Sequence, residues 1–226
     1  MKVTNFDIEC LKVESGFRLF TFVNPFSYYL LKRECIDSNF QIFADGIFFV
    51  KLHNLFSDYK IKRFSFDFTS LADVVLNYCS GNNYKVALVG GSQHEIFLAQ
   101  KILSRRYPKL DVIGHHGYFF GQEDELRDCL RQFQPDVIIC GMGTPLQERF
   151  LLEFSQDLPS LKLGFTCGGF LSQISSNENY FHPFFDRLNL RWLQRFFRHG
   201  YVRKRLLVDY PIFTVRYVFE KVTRKL

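Results

Sequence analysis

Asp45 lies in the stretch FADGIFFV, directly after one apolar run and directly before another. Two readings fit it. As an N-cap it would satisfy the first N–H groups of a following helix. As a general base at the edge of a sheet it would take a proton from a hydroxyl, with Phe43, Phe48 and Phe49 partly desolvating it and raising its pKa toward a useful value. Asp67, in FSFDF, is a second and weaker candidate of the same kind. A different chemistry is suggested by GMGTPLQE at 141–148, where Gly141 and Gly143 follow an apolar run and Thr144, Pro145, Gln147 and Glu148 follow them at a helix start. Such glycines make a tight turn, or they offer bare N–H groups that hold a diphosphate without a metal.

The glycine pair is not a dinucleotide fingerprint. G-x-G-x-x-G needs a third glycine where Leu146 stands, LVGGS at 88–92 also lacks the spacing, and no G-K-[ST] P-loop occurs. A nicotinamide-dependent dehydrogenase is therefore the poorer option. The six cysteines form no C-x-x-C pair and read as reduced, buried thiols. The six histidines make no H-x-x-x-H pattern, and the adjacent His115 and His116 would face opposite sides of a strand. The expectation is no metal and no bound cofactor.

These residues need elements to hold them. Short, continuous apolar runs at 18–23, 40–44, 85–89, 111–113, 136–140 and 162–166 read as strands. Helix-length segments lie at 25–34, 69–79, 92–107, 122–133 and 145–154, with Thr69 and Ser92 as N-caps and Pro145 as a first-turn residue. Alternating strands and helices, with strands apolar throughout, predict a mostly parallel α/β sheet with helices on both faces. Ligands of such sheets gather at the C-terminal strand ends. In chain order the six strands lead into Asn24-Pro25, Asp45-Gly46, Gly90-Gly91, the Gly114–His116 turn with Gly117-Tyr118-Phe119, Gly141 to Glu148, and Cys167-Gly168-Gly169.

The charge is uneven. Residues 187–226 carry eleven Lys and Arg against two acids, whereas 1–186 are slightly acidic and the whole chain is +6. That asymmetry divides a near-neutral body, 1–186, from a basic appendage, 187–226. Trp192 and Phe196 recur at helical spacing, as do Arg191, Arg195 and Arg198, and Arg203-Lys204-Arg205 follow Gly200. This fits a helix packed on the core, or a basic amphipathic segment on an anionic membrane surface. Nucleic acid is not expected, because charge is its only support. With 47% hydrophobic and 23% charged residues the chain is globular, not disordered. No apolar run reaches the ~18 residues of a membrane span, and the first residues lack an apolar signal core, so a cytoplasmic protein is expected.

Taken in order, ADG, LVGG, GHHGYF, GMGTPLQE, CGGF and LRWLQRFF resemble the WecG/TagA/CpsF glycosyltransferase family over about residues 22–206, most of the chain. The resemblance implies a Rossmann-like enzyme that moves a sugar, often of N-acetylmannosamine type, from a UDP-sugar to a polyprenyl-diphosphate-linked acceptor in bacterial surface-polysaccharide synthesis, inverting the anomeric centre without a metal. It implies that Asp45 is the base and that Asn24 and Gln147 belong to the site. Gly46, Gly90, Gly91, Gly117, Tyr118, Phe119, Gly141, Gly143, Thr144, Pro145, Gly168 and Gly169 are then substrate-binding candidates. It also implies that the appendage docks the enzyme on the inner face of the cell membrane. A homo-oligomer is compatible with it. The chain departs from the family at Ser172, where an Asp is usual after the Gly-Gly pair, at 180–183, where YFHP replaces a basic segment, and at 62–67, where Ser65 replaces a glycine. A non-catalytic nucleotide-binding protein of the same fold, associated with a membrane, is the alternative these losses keep in view.

Overall fold

A computed structural model describes residues 1–176 and 204–223. Six parallel strands form one sheet: β1 (Arg18–Val23), β2 (Phe40–Ala44), β3 (Lys85–Gly90), β4 (Asp111–His115), β5 (Val137–Gly141) and β6 (Leu163–Thr166), in the order β2-β1-β6-β5-β3-β4. The expected strands are all present, and among the described residues the sheet is wholly parallel, giving a Rossmann-like α/β fold. β4 lies on one side of β3 and β5 on the other. The chain therefore reverses direction across the sheet between β3 and β5, opening a crevice at their C-terminal ends.

Helices α1 (Tyr28–Arg33), α2 (Ile47–Phe56), α3 (Ala72–Gly81), α4 (Gln93–Arg106), α5 (Glu123–Phe133), α6 (Leu146–Ser155), α7 (Phe170–Ser176) and α8 (Tyr210–Thr223) surround the sheet. Strand alternation divides the core into two layers. Leu19, Val23, Ala87, Val89 and Ile138 face α1, α2, α5, α6 and α8. Phe20, Phe43, Val86, Leu88, Ile139 and Phe165 face α3, α4 and α7. Phe20 stacks on Phe165 with centroids 4.7 Å apart, which ties β1 to β6 in the second layer.

Several expectations change. The apolar run after Gly46 is helix α2, whose Phe49, Val50 and His53 turn inward while Ile47, Phe48 and Leu55 stay exposed. Helix α1 begins only at Tyr28, because residues 25–27 form its entry turn. Ser92 caps α4 in a full capping box with Glu95. Thr69 does not cap α3: Leu71 holds that position, and Thr69 bonds the Asp67 carboxylate. Pro145 stands at the N-cap of α6, after a cis Thr144–Pro145 bond. Cys79, Cys140 and Cys167 are buried, but Cys35 and Cys129 are exposed. His115 ends β4, so strand alternation stops there, and its ring lies 4.7 Å from that of His116 instead of opposite it.

The body-appendage boundary at 186/187 lies outside the described residues, as do Arg191, Trp192, Arg195, Phe196, Arg198 and Arg203. Helix α8, within the basic segment 187–226, packs into the first core layer beside α1 and α2. Phe213 and Tyr217 are buried against Tyr28 and Phe49, with ring centroids 5.3 to 5.7 Å apart where Phe49 meets Tyr28, Phe213 and Tyr217. His53 Nδ1 lies 2.7 Å from the Tyr217 hydroxyl, and Glu220 pairs with Lys32 and accepts from Tyr29. The outward row Ile212, Val215 and Phe219 is exposed.

Candidate active site

The C-terminal ends of the strands form a continuous edge, and the predicted residues divide along it into three groups. At the β2 end, Asp45 continues the strand, with its N–H donating to Val23 O at 2.7 Å. It does not cap α2. Gly46 takes that position at φ +100°, a conformation open to glycine, and no side chain caps the helix. The Asp45 side chain turns instead to Arg63, with Nη2 to Oδ1 at 3.3 Å. Arg63 is placed by a short parallel bridge to Ala44 and by the Phe64 N–H, which donates to Ala44 O at 2.8 Å. Its guanidinium also donates to Ser65 Oγ at 2.8 Å and reaches Asp67 Oδ2 at 3.4 Å.

Asp67 is less suited to take a proton. Burial pushes its carboxyl up, but hydrogen bonds from Thr69 and Ser65, together with Arg63, outweigh burial and hold it below the usual carboxylate value. Asn24 sits beside Asp45 at the end of β1, and its side-chain oxygen is engaged locally, accepting from the Phe26 and Ser27 N–H groups at 3.0 and 3.1 Å. It shapes the turn next to Asp45.

At the β3/β5 crevice, backbone meets backbone. A Cβ on Gly90 would stand 2.4 Å from the Gly141 carbonyl oxygen, so both turns depend on the missing side chain. Gly117 completes this wall: its N–H donates to Gly91 O at 2.9 Å, and a Cβ there would be 3.1 Å from Gly90 Cα. The adjoining Tyr118 is 75% exposed, a flat ring at the mouth of the crevice, while Phe119 packs toward His115 and Phe150. The N-terminus of α4 is already occupied by Glu95, whose carboxylate accepts the Ser92 N–H at 2.7 Å and is held low by that bond. Ser172, at one position that departs from the family, hydrogen-bonds the same carboxylate. Helix α2 has no side-chain cap, so its first N–H groups remain for an anion; α6 also lacks a side-chain cap, but its Gln147 N–H donates to Gly143 O at 3.1 Å.

Between these groups lie the β5–α6 and β6–α7 turns. Gln147 is 4% exposed. Its Nε2 donates to Thr144 and Glu148, and its Oε1 accepts the Gly168 N–H at 3.1 Å. It joins the Thr144 turn to the Gly168-Gly169 turn and reaches the edge through them. Two residues absent from the sequence-based candidates now belong to the region, Arg63 and Glu148. The segment 62–67, where Lys62 and Arg63 precede Asp67 as in the family it resembles, hinted at Arg63. Glu148 stood in the GMGTPLQE motif, but nothing there distinguished a buried hub from an ordinary first-turn acid.

Four inter-strand steps of roughly 4.8 Å put the β2 and β3 ends about 19 Å apart along this edge. An elongated ligand is needed to span them, with an acid at one end and glycine turns at the other. Among the described residues no three His, Cys, Asp or Glu side chains converge as a metal cluster, and no helix is long and apolar enough to cross a membrane.

The glycosyl transferase WecG/TagA/CpsF family model matches residues 8–226. The chain belongs to this family. Its relatives include a UDP-Gal:alpha-D-GlcNAc-diphosphoundecaprenol beta-1,4-galactosyltransferase of Shigella boydii, 39% identical over 90% of this chain and 87% of that protein. They also include an N-acetylglucosaminyldiphosphoundecaprenol N-acetyl-beta-D-mannosaminyltransferase of Staphylococcus aureus strain MW2, 28% identical over 85% of this chain and 74% of that protein. The family match spans the strand-end edge and the appendage alike, so both belong to a glycosyltransferase.

Proposed function

We propose that the protein transfers a hexose from a UDP-sugar to a GlcNAc-diphosphate-polyprenyl acceptor by direct displacement, with Asp45 as the base. Asp45 takes the proton of the acceptor hydroxyl, the freed oxygen bonds to the anomeric carbon, and the bond to UDP breaks with its electron pair leaving on the diphosphate. A single displacement inverts the anomeric centre. The β linkages named for both relatives agree with that outcome. The observation that carries the reading is the placement of Asp45: it is freed from capping by Gly46, set beside Arg63, and shares one edge with the β3/β5 crevice.

The developing negative charge would be met by Arg63 and by the uncapped N-terminus of α2, with no metal required. Thr144, Gly143 and Gly168 would line the diphosphate's path, and Tyr118 would offer a face to the nucleobase. The galactosyltransferase relative, 39% identical over 90% of this chain, makes galactose the first donor to test, ahead of the N-acetylmannosamine type. The lipid-borne acceptor requires the enzyme at a membrane. The basic tail and the exposed row Ile212, Val215 and Phe219 support docking on the anionic inner face of the cell membrane. A panel of UDP-sugars, UDP-galactose and UDP-N-acetylmannosamine among them, incubated with the enzyme and a short-chain GlcNAc-diphosphate lipid, tests this directly. A product one hexose heavier is expected. UDP binding without product from any donor would favour a non-catalytic role.

A further inference from the structure

Glu148 is fully buried between α6 and the sheet. Its Oε1 accepts three hydrogen bonds, from Thr21 Oγ1 at 2.8 Å, Gln147 Nε2 at 3.1 Å and Thr144 Oγ1 at 3.2 Å. Thr166 Oγ1 donates in turn to Thr21 Oγ1 at 3.0 Å. One oxygen atom thus joins β1, β6 and the β5–α6 turn, and through Gln147 and the Gly168 N–H it joins the β6–α7 turn as well. Oε2 is buried and meets no hydrogen-bond partner among the described residues. An apolar side chain would avoid that unmatched oxygen, so keeping a carboxyl here favours a role for Oε1. Burial, the largest influence, raises the Glu148 pKa toward the neutral acid, which is less costly to hold in a buried layer.

We propose that Glu148 is a positioning residue for the donor site. Through Thr144 and Gln147 it fixes the distance between the two glycine turns that receive the diphosphate, without touching the ligand. The inference rests on the reading of these turns as the donor's cradle.

The full-length chain and its Glu148→Leu and Glu148→Gln variants would be compared in two measurements. Amide hydrogen exchange across 141–145 and 167–169, without ligand, reads the brace itself. Calorimetric titration with UDP reads its use. Glu148→Leu is expected to speed exchange at both turns at least tenfold and to weaken UDP binding at least tenfold. Glu148→Gln, whose amide oxygen accepts the same three bonds, is expected to restore both to within threefold of wild type.

A folded Glu148→Leu with wild-type exchange and UDP affinity would overturn the proposal. So would a folded Glu148→Gln as impaired as the leucine variant. Should Glu148→Leu fail to fold, Thr21→Val removes one bond to Oε1 from outside both turns; faster exchange at 141–145 and 167–169 supports the brace and unchanged exchange there refutes it. Wild-type protein that binds no UDP would defeat the donor reading, an outcome distinct from unchanged exchange in the leucine variant.

Discussion

Arg63 Nη2 stands 3.3 Å from Asp45 Oδ1, so the residue that follows β2 is tied to the loop leading into α3. Both side chains are about one-third exposed, and an ion pair of that kind contributes little to stability, on the order of 0–1 kcal/mol. Its weight falls on function. Arg63→Ala and Arg63→Lys are each expected to lower kcat/KM at least about tenfold, ~1.4 kcal/mol in the transition state, while Tm changes little. All three contacts, to Asp45, Ser65 and Asp67, run through Nη2; the lysine ammonium sits on a shorter stem and is more strongly hydrated, so it does not reach the same point. Steady-state kinetics beside thermal melts would show the split.

Gly90→Ala should be among the most damaging single-methyl changes in the fold. The new Cβ would meet the Gly141 carbonyl at 2.4 Å, and φ at Gly90 is +142°. Neither strand can yield, because β3 and β5 pair directly up to this point. The expected loss is about 2 kcal/mol or more, a fall in Tm of roughly 5 °C or more for a chain of this size, together with weakened UDP binding.

The Glu148 carboxyl gives stability a pH signature. Its pKa is raised in the folded protein from an ordinary 4.5, chiefly by burial. The folded state then binds this proton more tightly than the unfolded state. The contribution is complete below the unfolded pKa and is lost as pH rises from 4.5 through the folded value. Glu148→Gln does not titrate. The stability of the variant relative to wild type should therefore increase from pH 5 to 8, as read by denaturant melts.

His53 carries the opposite signature at the α8 contact. Burial, with Lys221 and Lys60 adding to it against a hydrogen bond to the Tyr59 backbone, lowers its pKa below 6.5. A depressed histidine contributes stability above the unfolded pKa, and this is lost as pH falls through the folded value. Acidification below about pH 6.5 should loosen α8 before the sheet melts, seen as faster exchange at 210–223. Tyr217→Phe removes the partner of Nδ1 and should cost about 1–2 kcal/mol.

Membrane docking calls for a gentler change than truncation. Removing everything from Asn189 would also remove Phe213 and Tyr217 from the core. Arg191→Gln, Arg195→Gln and Arg198→Gln together are expected to weaken binding to anionic vesicles at low salt, where screening is least, and to leave the melting curve near wild type. Equal vesicle binding at every salt concentration would argue against the basic tail as the anchor.

The strands were legible because a parallel sheet buried on both faces writes its strands as continuous apolar runs, and 18–23 and 40–44 match to the residue. Helix α2 was not legible, because Ile47-Phe48-Phe49-Val50 is as apolar on its exposed side as on its buried one and shows no helical period at its start. Asp45 could be placed at a strand end, but its release from capping depends on the φ of Gly46. Gln147 could be proposed as a ligand contact, but its burial could not be read. Its burial comes from Gly168, which lies 21 residues further on and approaches it only because β5 and β6 are neighbours. The hub at Glu148 depends on Thr21, 127 residues away, and local sequence carries no trace of that pairing.

The central claim is that Asp45 takes the acceptor's proton. The most direct test is the initial rate of sugar transfer by Asp45→Asn, with UDP-galactose and a short-chain GlcNAc-diphosphate lipid, alongside UDP affinity. The expected result is a rate lower by about 10²–10⁴-fold with UDP binding retained. Transfer at close to the wild-type rate would contradict the assignment.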